Sequence, residues 1–413
     1  MRVHHLCCAG IDVHKRKVTV CVRLSEGRKV RNEIREFGTT TKEILDLCDW
    51  LKECGIRSLA MESTGAYWKP LYNLMEDEFE ILLANAHHMK TVPGRKTDTK
   101  DAEWIAELHA HGLLKASFVP DQEQRGLREL TRTRATLVGE RARLANRIQK
   151  LLEDANVKLA SVAANVLGVS GRLMLRAIAD GEEDPKVVSD LARGLLRKKI
   201  PALEQAIEGR IRSYHRVVLR ELLKQVESLD ESIASLERAI EVAMEGSDRP
   251  FETGAQLLIT IPGVANVGAR SLLAEIGTNM DQFPSDRHIS SWAGISPGNN
   301  ESGGKRLSGR TTSGNVWVKR CLVQMAHAAV RAKNSYFQAM YARMFRRIGN
   351  KRAIIAVAHA LLVAMYHMLR NGVPYEDLGA DYFDKVNSER TVKHLVQRLE
   401  RLGVQVPLPE AAV

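Results

Sequence analysis

Cysteine is scarce in this chain of 413 residues: six occur, at 7, 8, 21, 48, 54 and 321, and none fall in a C-x-x-C spacing. That counts against both a zinc site and a disulfide framework. Adjacent Cys7 and Cys8 are expected on opposite faces of a strand, and buried, reduced thiols are the expectation for the set. Long apolar runs are missing as well, since no stretch approaches the ~20 uninterrupted residues of a membrane span. The opening MRVHHLCCAGIDVHK is too short and too polar before its first Asp to be a signal peptide. A secreted or membrane protein is therefore not expected. Acid is scarce in one place only. Residues 301–352 hold 12 Lys or Arg against a single acid, Glu301, while the rest of the chain is balanced at 49 against 49. The whole formal charge of +11 thus lies in one stretch. Such a field attracts a polyanion and makes its binding salt-dependent. Its turn residues Gly303, Gly304, Gly309 and Gly314, and its lack of one clean apolar face, favour nucleic acid over a membrane.

What is present suits a folded protein of two or three domains, with 44% hydrophobic and 27% charged residues. Residues 1–120 read as α/β. Runs rich in β-formers at 7–13 and 18–24 flank the polar HKRK, a hairpin signal. Strands are expected at 58–62 and 79–84, the first followed by a turn and an amphipathic helix, and a helix is expected over 98–114. Residues 121–250 read as helical. Leu130, Leu137, Leu144 and Leu151 recur every seven residues, with Arg134 and Arg141 at the companion seam positions. Leu222, Val226, Leu229, Ile233, Leu236, Ile240 and Ala243 step by four and three, a heptad seam. With Pro201 as its start and Gly246 as its stop, that helix would run roughly 65 Å at ~1.5 Å per residue. A helical spacer or dimerisation arm is expected there. Residues 251–372 open with LLITIPGVANVGARSLLAEIG, two helical runs about a Pro-Gly turn, in the outline of a helix-hairpin-helix or of a plain packing unit. Polar, Gly-rich sequence covers 296–314 and a helical stretch covers 316–369. Residues 373–413 look like an appendage.

Four acids stand out. Asp12 sits in GIDVHK on a strand that is otherwise apolar, where an ionised carboxylate is costly without compensation. Glu62 ends the run LAME before a turn into a helix, and Asp98 and Asp101 in KTDTKDAEW share one helix face. Singly, each has an ordinary explanation as a cap, turn or first-turn residue. Together, two strand-borne acids and a helical pair can converge on one or two hard cations, which prefer oxygen ligands. Two such ions ~3.5–4 Å apart can flank a scissile phosphate.

These motifs carry a resemblance. GIDVHK, AMESTGAYWKPL and KTDTKDAEWIAEL resemble the DEDD motif of a RuvC-like, RNase H-fold domain. IPGV with LLAEIG, DQFPSDRHISSWAGISP and NESGGKRLSGRTTSGN resemble the C-terminal region that accompanies it. The combination, over most of residues 1–372, is similar to the DEDD insertion-sequence transposases, a family that includes bridge-RNA-guided serine recombinases. The resemblance implies an RNase H-like (RuvC-like) α/β domain, a long helical coiled-coil middle and a mainly α C-terminal transposase domain. It places the catalytic, metal-holding acids on Asp12, Glu62, Asp98 and Asp101, with Mg²⁺ or Mn²⁺ as cofactor. The nucleophile falls on Ser302 of Glu301-Ser302-Gly303; residue chemistry alone does not choose it over Ser308 or Ser313. Implied partners are donor and target DNA, a structured noncoding guide RNA, and further copies of the chain in a tetramer built as a dimer of dimers. The setting would be cytoplasmic, bacterial in type and nucleoid-associated. From charge, Lys305, Arg306, Arg310, Lys319 and Arg320 are candidate phosphate contacts, and Arg343, Arg346 and Arg347 form a second cluster. The chain departs from the family's I-P-G-x-G hairpin at Ala265, where a left-handed backbone would be costly, which counts against phosphate binding there. Two other readings fit the same residues: a metal-dependent nuclease or junction resolvase in which water attacks, and a non-catalytic nucleic-acid scaffold.

Overall fold

The structure, a computed structural model, describes residues 3–27, 29–63, 65–84, 101–298, 300–309, 311, 314–386 and 388–404, with backbone alone at 26, 300–302, 305–308, 389–391 and 394. It is mixed α/β, with a sheet in its N-terminal part and a mostly helical remainder. It divides into two compact units, Met1–Pro120 and Asp121–Val413.

The first unit holds β1 (Cys7–Val13), β2 (Val18–Glu26), β3 (Lys29–Phe37), α1 (Thr41–Glu53), β4 (Ser58–Glu62), α2 (Trp68–Met75), β5 (Glu80–Ala84) and α3 (Asp101–Ala110). The strands form one sheet in the order β3-β2-β1-β4-β5. β1, β2 and β3 are antiparallel neighbours, whereas β1–β4 and β4–β5 are parallel. Strand alternation sorts the two faces. Ala9, Ile11 and Val13 join Ile44, Leu47 and Leu51 of α1 and Leu71 and Met75 of α2 in one core. On the other face, Ala60 packs with Ile105 and Leu108 of α3, and Gly10 lies so close that a Cβ there would meet Ala102 O and Ala106 N at 2.3 Å. β3 and α1 were not expected from sequence. β3 is an edge strand whose KVRNEIREF is mostly exposed, the charged composition that protects an edge. α1 opens on a capping box of Thr40 and Glu43. Cys8, Cys21 and Cys48 are buried as expected, but Cys7, the first residue of β1, is exposed.

The second unit begins with the helical middle: α4 (Gln122–Asp154), α5 (Leu159–Val162), α6 (Val169–Asp180), α7 (Pro185–Asp190), α8 (Ile200–Ile207) and α9 (Ser213–Glu245). α4 and α9 pack along each other, and the two arginines of the α4 seam are neutralised across it, Arg134 by Glu237 and Arg141 by Asp230. Burial pushes the Asp230 carboxyl up, but hydrogen bonds from Arg172 and Arg141 outweigh it and hold the group below its usual range. The expected helix from Pro201 to Gly246 is in fact two. Pro201 begins α8, and the chain then turns at Gly209, where a Cβ would meet Ala155 O at 2.5 Å. α9 alone is 33 residues, about 50 Å at ~1.5 Å per residue.

The rest of the second unit is α10 (Phe251–Leu258), α11 (Asn266–Ile276), α12 (Asp286–Trp292), the hairpin β6 (Asn300–Ser302) and β7 (Lys305–Ser308), then α13 (Val316–Ala329), α14 (Tyr336–Ile348), α15 (Asn350–Asn371), α16 (Tyr382–Val386) and α17 (Ser388–Arg401). The expected helical stretch over 316–369 is thus three helices, broken at Asn334 (φ 59°) and Gly349 (φ 77°). In the Pro-Gly turn the left-handed residue is Gly263 (φ 90°), which abuts Ala329 of α13, while Ala265 is the extended N-cap of α11. α15 is long and apolar enough to cross a membrane, yet Ile354, Val357, Ala358, Leu361, Leu362 and Met365 lie in the core of this unit. After Gly372 the chain returns across the unit, with the Tyr375 ring stacked on Phe337 and its N–H bonded to Thr260.

A buried carboxylate joins these parts. Glu275, 2% exposed, receives Arg132 through Nε and Nη2 at 2.6 and 2.8 Å, Asn315 Nδ2 at 2.9 Å and Arg128 at 3.6 Å. Burial lowers the Arg128 guanidinium to about 10, with Glu275 opposing that shift. Gln124 and Arg128 also bond Ala274 O, and Arg128 bonds Glu275 O. They occupy carbonyls that the end of α11 leaves unmatched. Glu275→Ala would leave the half-buried Arg128 and Arg132 without their carboxylate and is expected to destabilise the second unit by about 2–3 kcal/mol, measured by urea unfolding. A loss under ~1 kcal/mol would mean the pairs are replaced by water.

The first unit holds a buried histidine. His109, 2% exposed, bonds Ser58 Oγ at 2.9 Å and stacks on His5 at 4.5 Å. Burial, reinforced by His5, lowers its pKa from 6.5 to about 4. An unfolded chain therefore binds the proton first as pH falls. Stability present above 6.5 is lost towards pH 4, up to about 3 kcal/mol. The protection of β1 and β4 amides, taken relative to intrinsic exchange at each pH, should fall over that window in the wild type and less in His109→Gln; equal pH dependence in both would refute this.

Candidate active site

The acids occupy one end of one face of the sheet. Cys8, Gly10 and Asp12 alternate onto the α3 side of β1, as do Ser58, Ala60 and Glu62 on β4, one strand over in parallel register. α3 runs against both strands. Its Ala106 O accepts from Cys8 Sγ, Ala102 sits over Gly10, and His109 reaches Ser58 at the start of β4. The first residue of α3, Asp101, therefore lies toward the strand ends that carry Asp12 and Glu62. Asp12 is half-buried and its Oδ2 is 3.0 Å from Nε2 of exposed His14. Sequence reasoning gave His14 no role, although its i+2 spacing from Asp12 puts it on the same side of the strand. Asp98 lies outside the described residues. Among the described residues, no three His, Cys, Asp or Glu side chains are gathered tightly enough to hold an ion. The oxygen donors of Asp12, Glu62 and Asp101 fit a hard cation by type.

The proposed nucleophile belongs to the second unit. Ser302 ends β6 and pairs with Lys305, and the two residues between them, Gly303 (φ 56°) and Gly304 (φ 75°), both have positive φ. That is the two-residue turn whose twist matches paired strands, and glycine adopts it without strain. The sequence led us to expect an irregular Gly-rich segment over 296–314; the structure places Ser302 beside the tip of a short hairpin. Its root is fixed three ways. Pro297 bridges Thr311, Gly314 lies against Gly294 where a Cβ would come within 2.1 Å of backbone nitrogen, and Asn315 N–H bonds Trp292 O. Asn315 also caps α13 through Trp317 and Val318 N–H, while its amide bonds Glu275. Glu275 escaped the sequence reading because LLAEIG looks like an ordinary amphipathic helix.

The candidate basic residues fall into two groups. Lys319 donates to Thr311 Oγ1 at 2.9 Å, tying α13 to the hairpin. Arg320 lies over the Trp317 ring at 5.3 Å, with Arg132 at 5.6 Å from the same ring. Arg343, Arg346 and Arg347 are exposed on α14, with Arg343 over Phe383 at 5.2 Å. Lys305 and Arg306 lie on β7, where the backbone alone is described, and Arg310 lies outside the described residues.

Comparison with known proteins agrees with both halves of this pattern. A DEDD family model of IS110 type, described as a transposase, matches residues 9–157. A second, described as the transposase IS116/IS110/IS902 family, matches residues 255–342. The chain is 26% identical to a probable family 20 transposase of Pseudomonas aeruginosa over 78% of its own length and 80% of that protein. It is 22% identical to the transposase for insertion sequence element IS1328 of Yersinia enterocolitica, over 68% of its length and 73% of the relative. It is 30% identical to a pilin gene-inverting protein of Moraxella bovis over 30% of its length and 38% of the relative. With the carboxylate end of its sheet inside the first match and the serine hairpin inside the second, this chain belongs to the IS110-type DEDD transposase family.

Proposed function

We propose that this transposase cuts and rejoins DNA through Ser302, assisted by a divalent cation held by Asp12, Glu62, Asp98 and Asp101. The observation that carries the reading is the hairpin: a serine one residue before a Gly-Gly turn, on strands anchored at their root, is held out on a thin, firm support. The sheet order with one antiparallel and one parallel neighbour of β1 supports an RNase H-like reading of the first unit. The ion, Mg²⁺ or Mn²⁺, supplies charge neutralisation at the phosphate and favours loss of the serine proton. The Ser302 oxygen forms a bond to phosphorus as the bond from phosphorus to the departing strand breaks. The serine proton passes to water and the departing oxygen takes one up. The number of phosphoester bonds is unchanged, so reversal with a new strand rejoins DNA without ATP. A pilin gene-inverting relative is in keeping with a reaction that rejoins what it cuts. Lys319, Arg320 and the α14 arginines would hold the strand backbone.

The acids and the serine belong to different compact units. In the same proposal, a tetramer built as a dimer of dimers brings the acids of one protomer to the serine of another. A structured RNA from the element would choose the DNA by base pairing, leaving the protein to read backbone shape.

Ser302→Ala is expected to lower cleavage by roughly a thousandfold or more and to remove a protein–DNA adduct visible on a denaturing gel. Asp12→Asn should also block cleavage, with DNA binding retained. If Ser302→Ala still cuts and joins, water is the nucleophile and a metal-dependent nuclease or resolvase replaces this reading.

A further inference from the structure

A groove of about 880 Å³ lies at the root of the serine hairpin, between α14, α15 and the paired Pro297 and Thr311. α14 and α15 are joined only through Gly349, so the two helices fold sharply against each other. Met340, Met344 and Ile348 repeat every four residues and line the groove as one stripe of α14, facing Ile355 of α15. All four are half-buried. Lys351 and Arg352 are exposed where they line the same groove, and the Arg347 guanidinium lies 3.5 Å from the Met344 sulfur. A floor of flexible thioethers beneath a cationic rim matches a flat, polarisable group attached to a phosphate.

We propose that this groove takes one unstacked nucleobase of the DNA strand that the hairpin engages, its flanking phosphates held by Lys351 and Arg352. The inference rests on the reading of the hairpin as the cutting element. The five steps from Pro297 to Ser302 span at most about 17 Å at ~3.3 Å per residue, which puts the base a few nucleotides from the attacked phosphate. An unstacked base there fixes the strand's register on the hairpin, which backbone contacts alone do not do. Among the elements with exposed apolar side chains, α17 carries Val392, Leu395 and Leu399 and is the rival occupant, from a second copy, that the groove is weighed against. It carries Arg390, Lys393, Arg398 and Arg401 against Glu389 and Glu400, and setting this net positive helix against Lys351, Arg352 and Arg347 opposes like charges. Charge therefore selects the polyanion.

The test is fluorescence anisotropy on the full chain, with oligothymidylate of about ten nucleotides and an abasic backbone of equal length. The wild type should prefer oligothymidylate. Met344→Glu should weaken oligothymidylate binding about tenfold, the scale of one lost stacked base, and leave abasic binding close to unchanged. Met344→Leu, which keeps the apolar floor, should stay within about twofold. Lys351→Ala should weaken both probes alike and reduce the salt slope by about one. A preference for oligothymidylate that survives Met344→Glu overturns the proposal. So does displacement of bound oligothymidylate by a peptide of residues 388–404 in the wild type but not in Met344→Glu, which assigns the groove to protein. The base preference should persist in Ser302→Ala. Absence of a DNA adduct in the wild type with that preference intact would sink the serine reading and leave the groove standing.

Discussion

The second unit is organised around one buried carboxylate. Glu275 is a carboxylate 2% exposed, and it draws Arg132 and Arg128 from α4 and the Asn315 amide from the segment before α13. Each partner fixes a different element. The arginines pin the long helix to the end of α11, where Gln124 and Arg128 also satisfy free carbonyls. Asn315 starts α13 and closes the root of the serine hairpin. A buried ion pair adds little net stability over a well-packed apolar contact. What it adds here is geometry, because two bonds to one guanidinium tolerate little rotation. The position of the serine strand is thereby coupled to the arm made by α4 and α9, which carries ion pairs of its own at Arg134 and Arg141.

A different constraint orders the first unit. Close approach of α3 to Gly10 requires glycine there, since a Cβ would collide with the helix backbone. With the helix laid against β1 and β4 in the opposite sense, the last residues of two parallel strands and the first residue of a helix share one end. Helix starts favour carboxylates, so Asp101 is well placed on ordinary grounds. Asp12 has no such ground: it is half-buried near the end of a strand, with His14 Nε2 3.0 Å from its carboxylate.

Much of this could be read from residues, and the failures have physical causes. β1, β2, β4 and β5 are rich in β-formers and bounded by polar turns, and the structure places them within a residue or two of expectation. β3 is invisible to that logic because an edge strand exposed on both faces needs no apolar alternation. α1 was missed although Thr40 and Glu43 spell its capping box. The heptad of α9 was legible, but its start was not, because the break at Gly209 depends on the backbone of Ala155 far away in sequence. The same holds at the site. Asp12 and Glu62 announce themselves as acids in apolar context and Asp101 by its spacing from Asp98, whereas Glu275 sits in an unremarkable helix and its arginines are more than 140 residues away. Local pattern reveals residues that are locally anomalous, and long-range pairing stays hidden.

The charge distribution acquires a structural meaning from these elements. The basic stretch 301–352 runs from the serine strand through α13 and α14 to the first turn of α15, so its cations are displayed on consecutive elements joined by short turns. The ion pairs that stitch the long helices use a different set of residues, Arg134 with Glu237, Arg176 with Glu227, and Arg141 and Arg172 sharing Asp230. Among the described side chains of 301–352, Lys319 is given to Thr311 and Arg320 to the Trp317 ring, contacts that orient a cation without neutralising it. Neutralised arginines thus hold the scaffold in shape, and cations left with their charge line the part that carries the serine. Exchanging the two sets would put unmatched charge in the half-buried seam and strip the serine-bearing part of its excess.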